Sequence, residues 1–201
     1  MATDLTEMTR APSGPDEAAA MGGKATHARE PEPHVLLLWG PPGVGKTTVV
    51  RRLARALEGK RLSGFYTEEI RERGARQGFR LVGFAGSERV IAHVGLPKRH
   101  RVGKYGVDVA AVDEAASLLA PDAFTDIVLV DEIGRMECLS ARFVAALRAL
   151  LAATTPVVAT VALRGVGFIA EVKGSKACVL WEVTHGNRDA LPARIAAWLR
   201  T

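Results

Sequence analysis

The chain has 201 residues, 48% of them hydrophobic, which suffices for one α/β domain with a full-sized core. Its two cysteines, Cys138 and Cys178, are too few for a disulfide framework, so we expect buried, reduced thiols. No apolar run approaches the ~20 residues that cross a bilayer, and the polar, acidic start lacks the order of a secretion signal. These features predict a cytoplasmic protein.

The net charge of +5 is distributed unevenly along the chain. Residues 1–33 carry three basic and six acidic side chains, which leaves an excess of +8 on the remainder. An excess of this size attracts polyanions, and charge alone does not distinguish a triphosphate ligand from a nucleic acid.

The N-terminal segment differs in composition from the rest of the chain. Residues 1–33 are rich in Ala, Pro, Gly, Thr and acids. Without an apolar period, such a segment cannot bury enough surface to offset the entropy lost on ordering. We predict a disordered N-terminal extension over residues 1–33 and a single folded domain over residues 34–201.

A strand, a glycine-rich turn and a helix open the predicted domain. Residues 35–39 (VLLLW) form a continuous apolar run, which is typical of a central parallel strand buried on both faces. Residues 47–58 place apolar side chains such as Val50 and Leu53 at helical spacing, and Gly59 follows as a stop.

The middle of the chain favours β-structure and then returns to a helix. Three β-favouring runs within residues 64–94, separated by polar segments with glycine, predict antiparallel hairpins. Residues 109–120 are rich in alanine and predict a helix that ends before Pro121. Residues 127–131 (IVLVD) predict a second buried strand.

The last third continues this alternation of strands and helices. Ser140 is a predicted N-cap for a helix that runs through Ala152, and Asn187 is predicted to cap a terminal helix. Residues 157–163 and 178–183 predict two further parallel strands. The pattern predicts an α/β fold with three layers and a mostly parallel sheet that contains an inserted antiparallel hairpin.

The turn after the first strand matches the P-loop pattern of Gly, four residues and Gly-Lys-Thr. Glycines let successive backbone N–H groups turn toward phosphate oxygens, and the N-terminus of the helix adds partial positive charge. Lys46 is predicted to reach the β- and γ-phosphates, Thr47 to hold Mg²⁺ and Thr48 to contact the α-phosphate. The predicted nucleotide-binding residues are Gly40, Pro41, Pro42, Gly43, Val44, Gly45, Lys46, Thr47 and Thr48.

Two acidic residues end the second buried strand and resemble a Walker B segment. Asp131 is predicted to hold Mg²⁺ through its water shell. Glu132 is predicted to point to the other side of the strand end and to polarise a water aimed at the γ-phosphorus. We also expect the strand itself to lie beside the first strand. A general base next to a P-loop favours hydrolysis over transfer to an organic acceptor.

Phosphoryl transfer also needs a cation near the charge that develops on the γ-phosphate. Lys104 and Arg135 are the first candidates for this catalytic role, and Arg188 at the start of a helix is the third. Nothing in the spacing selects one of them.

Several blocks together resemble the cancer-related nucleoside-triphosphatase family. They are residues 41–48 (PPGVGKTT), 64–71 (GFYTEEIR), 102–108 (VGKYGVD), 131–137 (DEIGRME) and 187–189 (NRD). The P-loop occurs in very many proteins, whereas the third and fourth blocks are far more specific. The resemblance extends from about residue 35 to residue 199.

This resemblance implies a cytoplasmic, Mg²⁺-dependent enzyme that converts several nucleoside triphosphates to diphosphates and phosphate on a RecA-like sheet. The chain departs from the family in its N-terminal extension, in Arg135 where lysine is usual, and in a loosely matching stretch over residues 163–176. We expect a monomer or a weak homo-oligomer that does not bind membranes.

Two alternatives remain open at the level of the sequence. A nucleotide or nucleoside kinase shares the P-loop but needs a basic lid, for which residues 97–104 are the one candidate. A nucleic-acid-stimulated ATPase is suggested by residues 98–101 (KRHR), although Tyr105 is the one aromatic residue near that run. No guanine-reading Asn-Lys-x-Asp motif occurs, so the base preference also stays open.

Overall fold

The computed structural model describes residues 33–200. The predicted disordered extension over residues 1–33 therefore lies outside the described residues, apart from Pro33. Within the described part, no helix is both long enough and apolar enough to cross a membrane.

Nine strands of the described part form one sheet, in the order β5-β6-β4-β3-β2-β7-β8-β1-β9. The strands are β1 (Val35–Trp39), β2 (Leu62–Glu72), β3 (Ala75–Gly83), β4 (Glu88–His93), β5 (Arg101–Val102), β6 (Tyr105–Val107), β7 (Ile127–Ile133), β8 (Val157–Val161) and β9 (Cys178–Glu182).

One half of this sheet is parallel and the other half is antiparallel. β2, β7, β8, β1 and β9 pair in parallel, each with its neighbour. β3, β4, β6 and β5 extend the sheet from β2 by antiparallel pairing. The predicted insertion of antiparallel structure into a parallel plan is confirmed, and it is larger than one hairpin.

Five α-helices and two 3₁₀ helices of the described part cover the sheet. They are α1 (Lys46–Ala56), α2 (Val109–Ala115), the 3₁₀ helix Ala116–Leu119, the 3₁₀ helix Glu137–Leu139, α3 (Ala141–Ala152), α4 (Phe168–Lys173) and α5 (Leu191–Trp198). The predicted helix over residues 109–120 is thus α2 followed by a 3₁₀ turn, which ends before Pro121.

Two apolar cores lie on opposite faces of the sheet. Along β1, Val35 and Leu37 join the core that contains side chains of α2, α3 and α4, whereas Leu36 and Leu38 join the core that contains α1 and α5. Alternate residues of a strand point to opposite faces, so a strand between two helical layers must be apolar throughout. This explains the uninterrupted run at residues 35–39 and confirms the three layers.

The predicted cap of the terminal helix is wrong. Helix α5 begins after Ala190, and no side-chain hydrogen bond caps it. The Asn187 side chain is engaged elsewhere, since its Oδ1 accepts from the Thr184 backbone N–H at 2.8 Å and its Nδ2 donates to the Glu182 carbonyl at 2.8 Å. Asn187 therefore holds the turn between β9 and α5 rather than the helix end.

Ser140 caps α3 as predicted and gives a test of the fold. Its buried Oγ accepts from the Phe143 backbone N–H at 2.8 Å and donates to Asp113. Ser140→Ala should lower the free energy of unfolding by about 1–2 kcal/mol, because the cap is lost and cannot be replaced by water. Urea unfolding measures this loss.

The matched control is Ser117→Ala, since Ser117 is exposed and its hydroxyl donates to the Glu114 carbonyl. That change should stay within about 0.5 kcal/mol of wild type. Equal effects of the two substitutions would contradict a specific role for the Ser140 cap.

Candidate active site

The P-loop connects β1 to α1 at the carboxyl end of the parallel strands. Gly45 has φ 108°, a left-handed conformation that favours glycine, and its carbonyl accepts from the Val49 N–H as the first turn of α1 closes. The loop thereby ends at a helix N-terminus whose N–H groups can face an anion. The predicted phosphate-binding residues 40–48 thus connect a strand to a helix, which is the arrangement expected of a P-loop.

Lys46 lies across this loop with its side chain 8% exposed. Its Nζ donates to the Gly40 carbonyl at 3.1 Å and to the Pro41 carbonyl at 3.5 Å. The same Nζ is 3.9 Å from Glu132 Oε2. The ammonium is therefore near both the loop and the predicted base.

Asp131 is buried, 1% exposed, and three threonine hydroxyls donate to it. Thr47 Oγ1 lies 2.6 Å from Oδ2, Thr160 Oγ1 lies 2.7 Å from Oδ1, and Thr67 Oγ1 lies 3.3 Å from Oδ2. These bonds orient the carboxylate toward the first residues of α1. The predicted pair of metal ligands, Thr47 and Asp131, is thus brought into direct contact.

The position of β7 differs from the prediction in one respect. We expected the strand of Asp131 to lie beside the first strand, but β8 lies between β7 and β1. The parallel strand β8 supplies Thr160, whose hydroxyl donates to Asp131 Oδ1 at 2.7 Å. The interposed strand therefore contributes to the position of the carboxylate.

Glu132 retains 34% exposure of its side chain, in contrast to its neighbour Asp131. Burial of the rest of the group raises the pKa of Glu132, the charge of Lys46 opposes this rise, and Asp131 adds to it. A partly exposed carboxylate with a raised pKa, close to the predicted phosphate site, is suited to receive a proton from water.

A sequence model of the family described as NTPase matches residues 35–196. The chain belongs to the NTPase family. The matched region contains the P-loop, Asp131 and Glu132, and it ends within α5.

Relatives in this family match most of the chain. Nucleoside-triphosphatase THEP1 of Thermotoga sp. strain RQ2 is 36% identical over 167 residues, which are 82% of this chain and 95% of the relative. The cancer-related nucleoside-triphosphatase of Homo sapiens is 34% identical over 175 residues, 79% of this chain and 92% of the relative. The crystal structure of THEP1 from Aquifex aeolicus has a TM-score of 0.75 at 33% identity, and the match covers 83% of this chain and 99% of that one. The predicted resemblance and the P-loop fold are confirmed.

A divalent metal cofactor fits this family, and the described residues contain oxygen ligands for it. Among residues 33–200, no group of three or more His, Cys, Asp or Glu side chains could hold a metal by itself. Thr47 and Asp131 offer hard oxygen atoms at one point, which suits an ion that takes its other ligands from phosphates and water.

Three residues near the site were missed by sequence reasoning. Thr160 is a polar residue inside the apolar run of β8, and Thr67 lies in one of the family blocks, so both carried a weak signal. Lys173 carried none, because it ends α4 in the loosely matching stretch. Its Nζ donates to the carbonyls of Ala162 at 2.6 Å and Leu163 at 2.9 Å, and its charge lowers the pKa of Glu132.

Glu137 is a second carboxyl group near Glu132, and it is 5% exposed. Burial, opposed by a hydrogen bond from its own backbone N–H and reinforced by the charges of Glu132 and Asp131, raises the pKa of Glu137 to about 8. A Cβ at Gly134 would lie 2.8 Å from Glu137 Oε2 and 3.5 Å from Glu132 Oε1. Gly134 therefore leaves the space that both carboxyl groups occupy.

The three candidate cations lie at different places. Arg188 lies against the P-loop, where its Nη1 donates to the Val44 carbonyl at 3.2 Å. Arg135 is exposed two residues beyond the end of β7, and no ion pair joins it to another described residue. Lys104 does not join the site, since it lies in the turn between β5 and β6, and β4, β3 and β2 separate β6 from β7. At about 4.8 Å per strand, that is roughly 19 Å across the sheet, too far for a lysine side chain. Its Nζ lies instead over the Tyr105 ring, 5.3 Å from the centroid.

A cavity of about 440 Å³ lies away from this site, on the antiparallel half of the sheet. Its lining residues, Ile70, Val90, His93, Gly95 and Leu96, include none of the predicted phosphate or metal ligands. A smaller cavity of about 190 Å³ adjoins the P-loop and is lined by Pro41, Pro42, Val44, Glu182, Val183, Thr184 and His185. Of these two cavities, only the smaller one is lined by residues of the P-loop.

Proposed function

We propose that this chain hydrolyses nucleoside triphosphates to nucleoside diphosphates and phosphate, with Mg²⁺ as the divalent ion. The convergence of Lys46, Thr47, Asp131 and Glu132 supports this proposal most strongly. Two contacts join the P-loop to the end of β7: Thr47 Oγ1 lies 2.6 Å from Asp131 Oδ2, and Lys46 Nζ lies 3.9 Å from Glu132 Oε2. The names of the relatives, which are nucleoside-triphosphatases, agree with it.

Each residue has a role that follows from its position. The N–H groups of the P-loop and the Lys46 ammonium bind the phosphate oxygens and compensate the charge that grows on them during transfer. Glu132 orients a water and accepts its proton. Thr47 and Asp131 would hold Mg²⁺, which when bound neutralises charge on the β- and γ-phosphates.

Arg135 is the predicted residue that still qualifies as a cation for the γ-phosphate, because it follows Glu132 closely in the chain and has no carboxylate partner among residues 33–200. Lys173 is an additional candidate, since it already interacts with the charge of Glu132. We propose no such role for Lys104.

Base tolerance is part of the proposal, because every motif found contacts phosphate or metal and none reads a base edge. We also propose that residues 34–201 form one P-loop domain. We propose a cytoplasmic location, which the free cysteines Cys138 and Cys178 fit because the cytoplasm is reducing. We also propose a monomer or a weak homo-oligomer. Neither the kinase nor the nucleic-acid-stimulated ATPase gains support from the relatives.

Phosphate release from ATP, GTP, CTP and UTP tests this function. We expect all four to be hydrolysed at comparable rates with Mg²⁺, and we expect release to fall to background in excess chelator, because the metal is needed to neutralise the phosphates. Restoring Mg²⁺ should restore the rate, which controls for damage by the chelator.

Two outcomes would contradict the proposal. Undiminished turnover in excess chelator would show that hydrolysis needs no divalent metal, and so that Thr47 and Asp131 do not act as metal ligands. Formation of a phosphorylated nucleoside or nucleoside monophosphate, when these are added as acceptors, would identify a kinase instead.

A further inference from the structure

Arg188 lies against the P-loop, in contact with Val44 and Gly45. Its Nη1 donates to the Val44 carbonyl at 3.2 Å. Its Cδ would be 3.2 Å from a Cβ at Gly45, so the stem of the side chain packs on the loop backbone. The sequence predicts Arg188 as a third candidate cation for the γ-phosphate. Whether it faces that phosphate depends on which end of the nucleotide would lie near Val44 and Gly45.

The sheet order places the strand of the carboxylates and the strand before Arg188 on different sides of β1. Asp131 and Glu132 are on β7, two places from β1 on one side, whereas β9 adjoins β1 on the other side. The residues that would hold the metal and the terminal phosphates therefore lie toward β7, where Lys46 Nζ is 3.9 Å from Glu132 Oε2. A nucleoside attached at the other end of the phosphate chain would then extend toward β9 and the turn that contains Arg188.

Polar contacts join the turn between β9 and α5 to the neighbouring backbone and to α1. Asn187 bonds to the backbone at both Glu182 and Thr184. Asp189, next to Arg188, forms an ion pair with Arg52 of α1. The residues before and after Arg188 in the sequence are therefore both held by polar contacts, one to the turn itself and the other to α1.

A cavity adjoins this turn and offers space beside the loop. Its volume of about 190 Å³ is below the ~300–1,000 Å³ of pockets that enclose a whole ligand, so it suits one part of a nucleotide. Pro41, Pro42 and Val44 line it on one side, and residues 182–185 line it on the other. Its wall carries no carboxylate besides Glu182.

We propose that Arg188 is the platform for the nucleobase: its guanidinium plane stacks on the base, beside this cavity, while its Nη1 stays bonded to the loop. This inference rests on the proposed function, because it needs a nucleoside triphosphate in the P-loop. A planar guanidinium stacks on the π-face that every base has, which makes the contact tolerant of base identity. The proposed tolerance of different bases would then have a structural cause.

Binding measurements on ligands with and without a nucleoside test the platform. Titrations use the Mg²⁺ complexes of the β,γ-imido analogues of ATP and CTP, and of inorganic tripolyphosphate. Arg188→Ala should weaken both analogues by about 5- to 100-fold, which is the loss of one stacked base, and should leave tripolyphosphate within about 2-fold of wild type. Arg188→Lys, which keeps the charge without the plane, should recover less than half of the loss.

The matched control is Arg194→Ala, because Arg194 is an exposed arginine of α5 that stacks over Trp181, 5.1 Å from the ring centroid. It should leave the affinity of all three ligands unchanged. An equal loss of tripolyphosphate and analogue affinity in Arg188→Ala would assign the residue to the phosphates and overturn the platform. Unchanged analogue affinity would also overturn it.

The two proposals fail in different ways. Analogue binding that depends on Arg188, without any phosphate release from the triphosphates, would refute hydrolysis and leave the platform standing. Wild-type protein that binds tripolyphosphate as tightly as the analogues would refute the platform alone, since the nucleoside would then contribute nothing to affinity.

Discussion

Glutamine in place of Glu132 is expected to slow single-turnover hydrolysis by about 10²- to 10⁴-fold, the usual loss when a general base is removed. Glutamine keeps the shape and the hydrogen-bonding oxygen of the side chain but cannot accept the proton of water. Nucleotide affinity should stay within a few-fold of wild type, because Glu132 acts on water and not on the ground-state phosphates. Rapid-quench hydrolysis beside equilibrium binding of a fluorescent triphosphate separates the two effects.

The pH dependence of the rate adds a second readout for Glu132. The carboxylate must be ionised to act as a base, and burial raises its pKa above the ordinary value of 4.5. Hydrolysis by the wild type should therefore decline with falling pH along an acid limb centred above pH 4.5. Glu132→Gln should lose this limb, since no carboxylate remains to be protonated at that position.

The matched control for this substitution is Glu58→Gln, because Glu58 is an exposed glutamate just beyond α1. It should preserve both the rate and the acid limb. A Glu132→Gln variant that turns over at the wild-type rate would mean that another residue, or water alone, supplies the base. The main reason for preferring hydrolysis to transfer would then be lost.

Local sequence patterns predicted the parts of the site that are continuous in the chain. The P-loop follows an apolar strand and precedes an amphipathic helix, so its position needed no knowledge of distant residues. Asp131 was predicted for a related reason, since a carboxylate at the end of a parallel strand must lie at the ligand-binding edge of the sheet. Thr47 and Asp131 are 84 positions apart, and their contact at 2.6 Å follows from these two local predictions together.

Contacts that depend on strand order could not be predicted in the same way. Hydrophobic patterns identify β8 as a buried strand but do not show that it lies between β1 and β7, and this order is what brings Thr160 to Asp131. The same limit explains why the distance between Lys104 and the P-loop could not be predicted. Its block resembles the family closely, yet the order of β6, β4, β3 and β2 keeps it at the far end of the sheet.

Lys46→Ala is expected to damage binding and catalysis together, in contrast to the substitution of Glu132. The ammonium is buried to 8% exposure and lies between the P-loop carbonyls and Glu132. Loss of one charged hydrogen bond to phosphate should weaken nucleotide affinity by about 10- to 100-fold. The single-turnover rate at saturating nucleotide should fall by a further ~10²- to 10³-fold, because the charge that develops on the γ-phosphate loses its main side-chain donor.

Lys98→Ala is the matched control for this prediction, since Lys98 also holds two backbone carbonyls with its Nζ, those of Val94 at 2.9 Å and Lys104 at 2.6 Å. It removes the same kind of bonds outside the site and should leave affinity and rate near wild type. A Lys46→Ala variant with normal affinity and a reduced rate would place the lysine in the transition state alone. A variant with reduced affinity and a normal rate would make it a binding residue only, because an interaction of equal strength in both states lowers KM without changing kcat. Only the combined loss supports a lysine that holds the phosphates in both states and holds them more tightly as the γ-phosphate departs.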